Sequence, residues 1–284
     1  MLDLFPYAPG AQQACTRPKS FLAVLIGAIA WLPMEPTAAT AAEQHAKPQA
    51  PAATAEAKSP TVNWSGCYGG VNGGGAASGT DVTSSVKAGT YLTDPADIAA
   101  VSKIGSGSIN DSRLVGGGQV GCNFQSGTFV FGIEGDWDSL ATKAASTTSG
   151  WLVSGDSFAV TNSVTANWLA TIRPRIGVAA GSSFIYVTGG VAFANFGLTQ
   201  TYSDTAGAAG SASASRTQTG WTLGTGFETM WTTNWSIKVD YLFAKFGAIN
   251  GTGEIVSTTA TSNGLQGSSD LAVQTVRIGL NYKL

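Results

Sequence analysis

From Trp235 to Phe243 the chain alternates without interruption. Trp235, Ile237, Val239, Tyr241 and Phe243 share one face, and Ser236, Lys238, Asp240 and Leu242 share the other. A helix repeats its apolar positions every three or four residues, so a period of two predicts a β-strand with one apolar and one polar face. The C-terminus repeats the pattern, with Val276, Ile278, Leu280, Tyr282 and Leu284 against Arg277, Gly279, Asn281 and Lys283. At 129–138, Phe129, Phe131, Ile133 and Trp137 oppose Glu134, Asp136 and Asp138.

The same vocabulary of Val, Ile, Thr and aromatics, punctuated by Gly and Ser, predicts eight strands. They lie near 64–78, 112–124, 128–138, 163–178, 183–196, 216–230, 235–246 and 270–284. Their connections alternate in length. Short turns fall at 125–127, 179–182 and 231–234, whereas 79–111, 139–162, 197–215 and 247–269 are long and rich in Gly, Ser, Thr and Ala. Four such loops are uncommon in a soluble domain. They suit an all-β, eight-stranded antiparallel up-and-down transmembrane barrel with short periplasmic turns and four long extracellular loops.

Composition agrees. Charged residues are 11% of the chain, less than half the roughly 25% usual in soluble domains. A net charge of -2 argues against nucleic-acid binding. The longest apolar stretch, Phe21 to Leu32, is shorter than the roughly 20 residues of a membrane helix. It follows Arg17 and Lys19 and precedes Ala39-Thr40-Ala41, so 1–41 is expected to be a signal peptide and 42–63 an Ala/Pro-rich periplasmic linker.

Tryptophans are expected to form two interfacial girdles, Trp64, Trp231 and Trp235 at the turn end and Trp137, Trp168 and Trp221 toward the loops. A soluble lipocalin-like barrel would turn its apolar face inward. Against that stand mid-strand charges of both signs: Glu134, Asp136, Arg173, Arg175, Glu228, Lys238, Asp240 and Arg277. Eight strands enclose an interior that side chains can fill, so these charges are expected to pair across the lumen and plug it.

Four segments carry a resemblance. Trp64-Ser65-Gly66-Cys67-Tyr68-Gly69-Gly70, the run Gly116 to Phe124, the run Phe131 to Asp136 and the closing run Val276 to Leu284 resemble the small outer-membrane immunogenic-protein family of Gram-negative bacteria. Its barrel is similar to the transmembrane domain of outer membrane protein A. The resemblance spans 64–284 and implies an outer-membrane location, insertion by the barrel-assembly machinery and a structural or surface-antigen role. Tyr282 and Leu284 stand where the family carries its C-terminal assembly signal, commonly ending in Phe. Outer-membrane lipids and lipopolysaccharide are the expected surroundings, and a monomer is the expected state.

Cys67 and Cys122 replace aromatic residues of the family. They fall near the turn end of neighbouring antiparallel strands, so in an oxidising periplasm a disulfide is expected, against two unpaired buried thiols.

Catalytic chemistry is poorly supplied. His45 is the only histidine and lies in the linker, so no Ser-His-Asp arrangement can form on the barrel. Neither a zinc set nor a phosphate loop is evident, since Gly116-Gly117-Gly118 is not followed by Lys-Ser or Lys-Thr. Glu134, Asp136 and Asp138 stand about 6.6 Å apart in sequence along one strand, wide for one shared cation. No enzyme activity, cofactor or metal is expected. The leading expectation is a structural barrel with its loops as antigen or interaction surface, and the alternative is a narrow porin-like channel for ions or small solutes.

Overall fold

A computed structural model describes residues 62–284. The expected signal peptide, and the linker up to residue 61, lie outside the described residues. Eight antiparallel strands close into a ring in chain order: β1 (Gly66–Val86), β2 (Gly107–Ser126), β3 (Phe129–Trp151), β4 (Ser157–Ala180), β5 (Ser183–Asp204), β6 (Ala209–Met230), β7 (Trp235–Val256) and β8 (Ser262–Lys283). One helix, α1 (Pro95–Ile104), interrupts the β1–β2 connection. The ring closes by pairing β1 with β8, for example Val71 opposite Leu280.

Three tight turns join strands at the end where the chain enters and leaves. Gly127 and Gly181 open two of them with φ of 61°, the left-handed conformation that mirror-image hairpin turns require. Around this end the outer surface is an apolar band. Val120, Phe131, Ile133, Ile176, Ile185, Val187, Leu223, Phe227, Val239 and Ile278 all point out of the ring and stay exposed. On β7 the band runs from Trp235 to Phe243, matching the roughly 9–11 residues a strand needs to cross a bilayer. An apolar surface this continuous is the face of a membrane-embedded protein.

The strands run further than their sequence suggests. The segments 139–162, 197–215 and 247–269, expected as loops, continue the ladders almost throughout, leaving tips at 152–156, 205–208 and 257–261. The physical reason is a change of partners. Beyond the band the outward positions turn polar, as in Thr161, Ser163 and Thr165 on β4, while the inward Val160, Val164 and Ala166 are buried. Val164 and Ala166 join inward Leu140, Leu169, Phe196, Leu198, Phe246, Ile249 and Leu271 in an apolar core inside the upper barrel. Burial of this core sustains strands that no lipid covers.

The longest connection folds down as a lid. Asp94 caps α1, its side chain accepting from the Ala96 backbone N–H, and Pro95 occupies the first turn, where its missing N–H costs nothing. Val101 is wholly buried among Val86, Leu92, Phe158, Val160, Tyr202 and Leu265. Asp97 and Asp204 hold the lid in place. Asp97 accepts from the Val153 N–H at 2.7 Å, and Asp204 Oδ2 accepts from the Tyr91 and Tyr202 hydroxyls at 2.6 and 2.8 Å.

Candidate functional site

The barrel interior is built in layers. At the turn end Trp64 is 2% exposed, its ring 5.3 Å from Phe184, which stacks on Tyr186 at 5.1 Å. Val62, Val130 and Ala179 complete this stopper. Trp64 therefore departs from its expected place in the girdle. Gly66, at a φ of 130°, lies between it and Cys67, and the indole packs inside the ring.

Above the stopper lies the charge layer, where the ladders point alternate side chains of β3, β4, β6, β7 and β8 at one another. The eight residues expected there, Glu134, Asp136, Arg173, Arg175, Glu228, Lys238, Asp240 and Arg277, are all buried in the lumen. Glu134 is the hub. Lys238 Nζ donates to both its oxygens at 2.8 and 2.9 Å, Arg173 reaches Oε1 at 2.8 Å, and the Tyr68 hydroxyl donates to Oε2 at 2.6 Å. Arg173 also binds Asp136. Arg277 grips Asp240 through Nε and Nη2 at 3.0 and 3.1 Å and crosses the lumen to Asp136 and Asp138. Arg175 spans Glu228 and Glu134 at 3.2 and 3.4 Å while its guanidinium lies 4.8 Å from the Tyr68 ring centre and 5.1 Å from that of Tyr186.

Neutral partners complete the layer. Ser236 and Asn281 donate to Glu228, Thr171 donates to Asp136, and Gln119 links Asn72 to Asn281. Sequence reasoning missed Tyr68, Gln119, Ser236 and Asn281, although each holds an inward position of an alternating strand. Glycine makes room for the large members: a Cβ on Gly121 would strike the Tyr68 hydroxyl, and one on Gly226 the Tyr186 ring. Between stopper and charge layer, the cavity edged by Trp64, Tyr68, Glu228, Ser236 and Lys283 holds about 10 Å³, the order of one water.

Further up stand the apolar core and then a polar layer under the lid. Gln200 is fully buried, accepting from Ser84 at 3.1 Å and donating to Asn162 Oδ1 at 2.7 Å. Asn162 in turn donates to the carbonyl of Gly105 at the end of α1. Above the apolar band, burial raises the Tyr91 and Tyr202 phenols from the ordinary 10.0, reinforced by the Asp204 carboxylate that accepts their hydrogen bonds.

On the outer surface, Trp231 and Trp235 stand exposed at the turn end, Trp235 edge-on to Tyr282 at 5.0 Å. Trp137 and Trp221 are exposed at the other border, Trp221 at 5.4 Å from Phe243, and Trp168 is half-buried beside them on β4. Trp151 was not anticipated. At 74% exposure, with Val153 beside it, it stands at the β3–β4 tip. Cys67 and Cys122 are register partners joined by a disulfide that faces outward, away from the lumen. Leu284, at the end of β8, donates its N–H to the Cys67 carbonyl at 2.9 Å.

Residues 37–283 match the family model described as outer membrane protein beta-barrel domain. The chain is 32% identical over 236 residues to the 31 kDa outer-membrane immunogenic protein of Brucella melitensis, covering 82% of this chain and 89% of that one. It is 25% identical over 265 residues to the 25 kDa outer-membrane immunogenic protein of Brucella abortus, covering 93% and 99%. Among solved structures, the outer membrane protein OprG of Pseudomonas aeruginosa aligns at 12% identity and a TM-score of 0.41, over 78% of this chain and 97% of that one. The banded outer surface, the ring of eight strands, the family-model match and the Brucella relatives lead to one assignment: the chain belongs to the outer-membrane β-barrel family that includes the Brucella immunogenic proteins, and it resides in the outer membrane of a Gram-negative bacterium.

Proposed function

We propose that the protein is a structural, surface-presenting barrel whose lumen is closed to diffusing solutes. The observation that carries this reading is closure at successive levels: the Trp64 stopper, the ion-paired layer centred on Glu134 and Arg277, the apolar core around Phe196 and Leu271, and the lid held by α1. A channel needs a continuous wet path, and each of these layers interrupts one. The barrel then serves as an anchor, and the polar upper wall with its tips at 152–156, 205–208 and 257–261 is the surface offered to the exterior. Exposed Trp151 and Val153 make the β3–β4 tip the first place for a partner or antibody to bind. A non-catalytic role accords with the position of the only histidine, His45, ahead of the barrel. Insertion by the assembly machinery would read the closing strand β8 through Tyr282 and Leu284.

Planar-bilayer recording of the refolded full chain tests the closed lumen. The expected result is no sustained conductance above the bare membrane. Stable openings of porin size would overturn the reading in favour of the narrow channel.

A further inference from the structure

Pairing of β2 with β3 stops at Gly116 opposite Ser139, although β2 begins at Gly107 and β3 continues to Trp151. Two strand edges therefore face each other across an open seam, β2 over 107–115 and β3 over 140–151, each held extended by its other neighbour. A second lapse in the wall, between β6 and β7 from Ser213 to Gly220, is a closed eyelet. Ladders resume on both sides of it, and Arg216 reaches across to the Ala248 carbonyl at 3.3 Å.

The two sides of the open seam are not equally finished. Above Gly107, α1 takes the place of β2 beside β1: the Ser84 and Val86 N–H groups donate to the Ser106 and Ser102 hydroxyls at 2.9 and 3.0 Å. At the foot of the seam Arg113, on the lumen-facing side of β2 opposite buried Ala76, donates to the Lys143 carbonyl at 3.0 Å. Beyond that point, from Ala144 to Trp151, the β3 backbone is paired with β4 and makes no bond on the seam side among the described residues. Ala145 through Ser149 are exposed on both faces of the strand, whereas on β4 every second residue from Phe158 to Ala166 is buried. The stretch 144–151 carries no charge and no proline, two devices that commonly guard a strand edge. Only an extended backbone presents alternating N–H and C=O groups at the spacing of such an edge, so its complement is another strand.

The ends of the edge say more about that complement. At the foot, Arg113 and Lys143 have one carboxylate between them, Asp111 at 2.9 Å from Arg113, and Lys143 has no salt-bridge partner among the described residues. At the top, Trp151 and Val153 are exposed. A strand lying antiparallel on β3 therefore begins at an apolar end and finishes at a positive one.

We propose that the β2–β3 seam takes up an extended peptide segment of another protein by strand addition to the β3 edge at 144–151. The segment sets an apolar residue of its N-terminal part against Trp151 and an acidic residue of its C-terminal part at Lys143. The proposal rests on the surface-presenting role above and defines the kind of partner that surface serves.

The fold supplies the probe. Residues 157–166 already pair antiparallel with this part of β3 on its other edge, Ser157 opposite Trp151 and Ala166 opposite Thr142. A labelled synthetic peptide of that sequence followed by two aspartates would carry its acids to Lys143. Binding to the refolded full chain in phosphatidylcholine nanodiscs is read by fluorescence anisotropy, and hydrogen exchange locates it. Expected are protection of 140–151 with 213–220 unchanged, and loss of binding when one set of alternate peptide amides is N-methylated. K143E should weaken the peptide about two- to fivefold, the scale of one exposed ion pair, and a version ending in two lysines should recover the loss. No binding, binding that survives methylation of either set, or protection away from the seam would overturn the proposal. A wild-type dimer in native mass spectrometry, with 140–151 protected before peptide is added, would give the seam to a second copy of this chain instead. Planar-bilayer conductance of the same preparation keeps the two readings apart. A closed barrel that ignores the peptide refutes the strand site alone, whereas a conducting barrel that binds it refutes the closed lumen and leaves the site.

Discussion

Arg277 is the residue on which the charge layer is most exposed to attack. Its guanidinium is wholly buried on β8, meets Asp240 at 3.0 and 3.1 Å and Asp136 at 3.3 Å, and also contacts Asp138. At 3 Å and an effective dielectric near 20, each contact is worth about 5 kcal/mol of Coulomb attraction. Desolvation of the ions offsets most of that, so the pair is nearly neutral overall. Removing only the cation leaves the desolvation in place. Asp240 keeps Lys238 and Asp136 keeps Arg173, but Asp138 has no other salt-bridge partner among the described residues. Arg277→Met should therefore destabilise the barrel by about 3–5 kcal/mol, the usual cost of orphaning a buried charge. Guanidinium unfolding of the chain refolded in vesicles, followed by tryptophan emission, measures it. Adding Asp138→Asn to that background should recover at least about 1 kcal/mol, a coupling typical of residues in one network. A loss below about 1 kcal/mol for the single variant, or strict additivity of the two, would show that the layer is wet and screened and would refute the argument.

Other expectations follow from individual contacts. Trp64→Ala should cost about 3–5 kcal/mol in the same unfolding assay, since it empties a buried aromatic site; a cost near zero would return Trp64 to the interface. The disulfide closes a separation of 55 residues, and Cys67→Ser with Cys122→Ser should lower stability by about 4 kcal/mol on the chain-entropy model. Equal mobility of the untreated and reduced wild type on a denaturing gel, with two alkylatable thiols, would remove that bridge. Tyr91 of the lid and Tyr202 of β5 beneath it hold their protons in the folded state above pH 10, where an unfolded chain releases them. Their contribution to lid stability is full below pH 10 and falls as the pH climbs past it. Absorbance titration of the wild type against Tyr91→Phe checks this, and ionisation of Tyr91 near pH 10 would contradict it.

How much of this was legible depended on what surrounds each strand. Along 235–243 and 276–284 the outer residues are large and apolar and the inner ones charged, so both period and orientation could be read from the sequence. In 157–162 the period is the same, yet Ala159 and Thr161 face out and Val160 and Asn162 face in. Small residues on both faces read as loop composition, and the strand was hidden by the modesty of its core. Asp94-Pro95 was a legible helix start, masked by Gly and Ser on either side. Trp64 was misplaced for a different reason. Tryptophan at a strand end suits an interface and a plug equally, and only the packing against Phe184 separates the two. The ion pairs were anticipated as a set, but their hub at Glu134 was not, because strand pairing across the lumen fixes which acid meets Lys238, Arg173 and Tyr68 together.

The two halves of the barrel obey one rule with opposite outcomes. On β7 the outer face passes from Phe243 to Lys245 at the same level where the inner face passes from Asp240 to Leu242 and Ala244. On β8 the outer face changes between Gln274 and Val276 as the inner one changes between Val273 and Arg277. Where water lies outside, an apolar interior supplies the drive to fold. Where lipid lies outside, the outer face already supplies it, and an apolar interior as well would make each strand hydrophobic on both faces, prone to aggregate while it crosses the periplasm. Charges are tolerable inside that half because Arg173, Arg175, Lys238 and Arg277 meet Glu134, Asp136, Asp138, Glu228 and Asp240 at salt-bridge distance. The low overall charge of the chain is thus a matter of placement. Lumen charges concentrate in the lipid-clad half, where the outer face carries almost none.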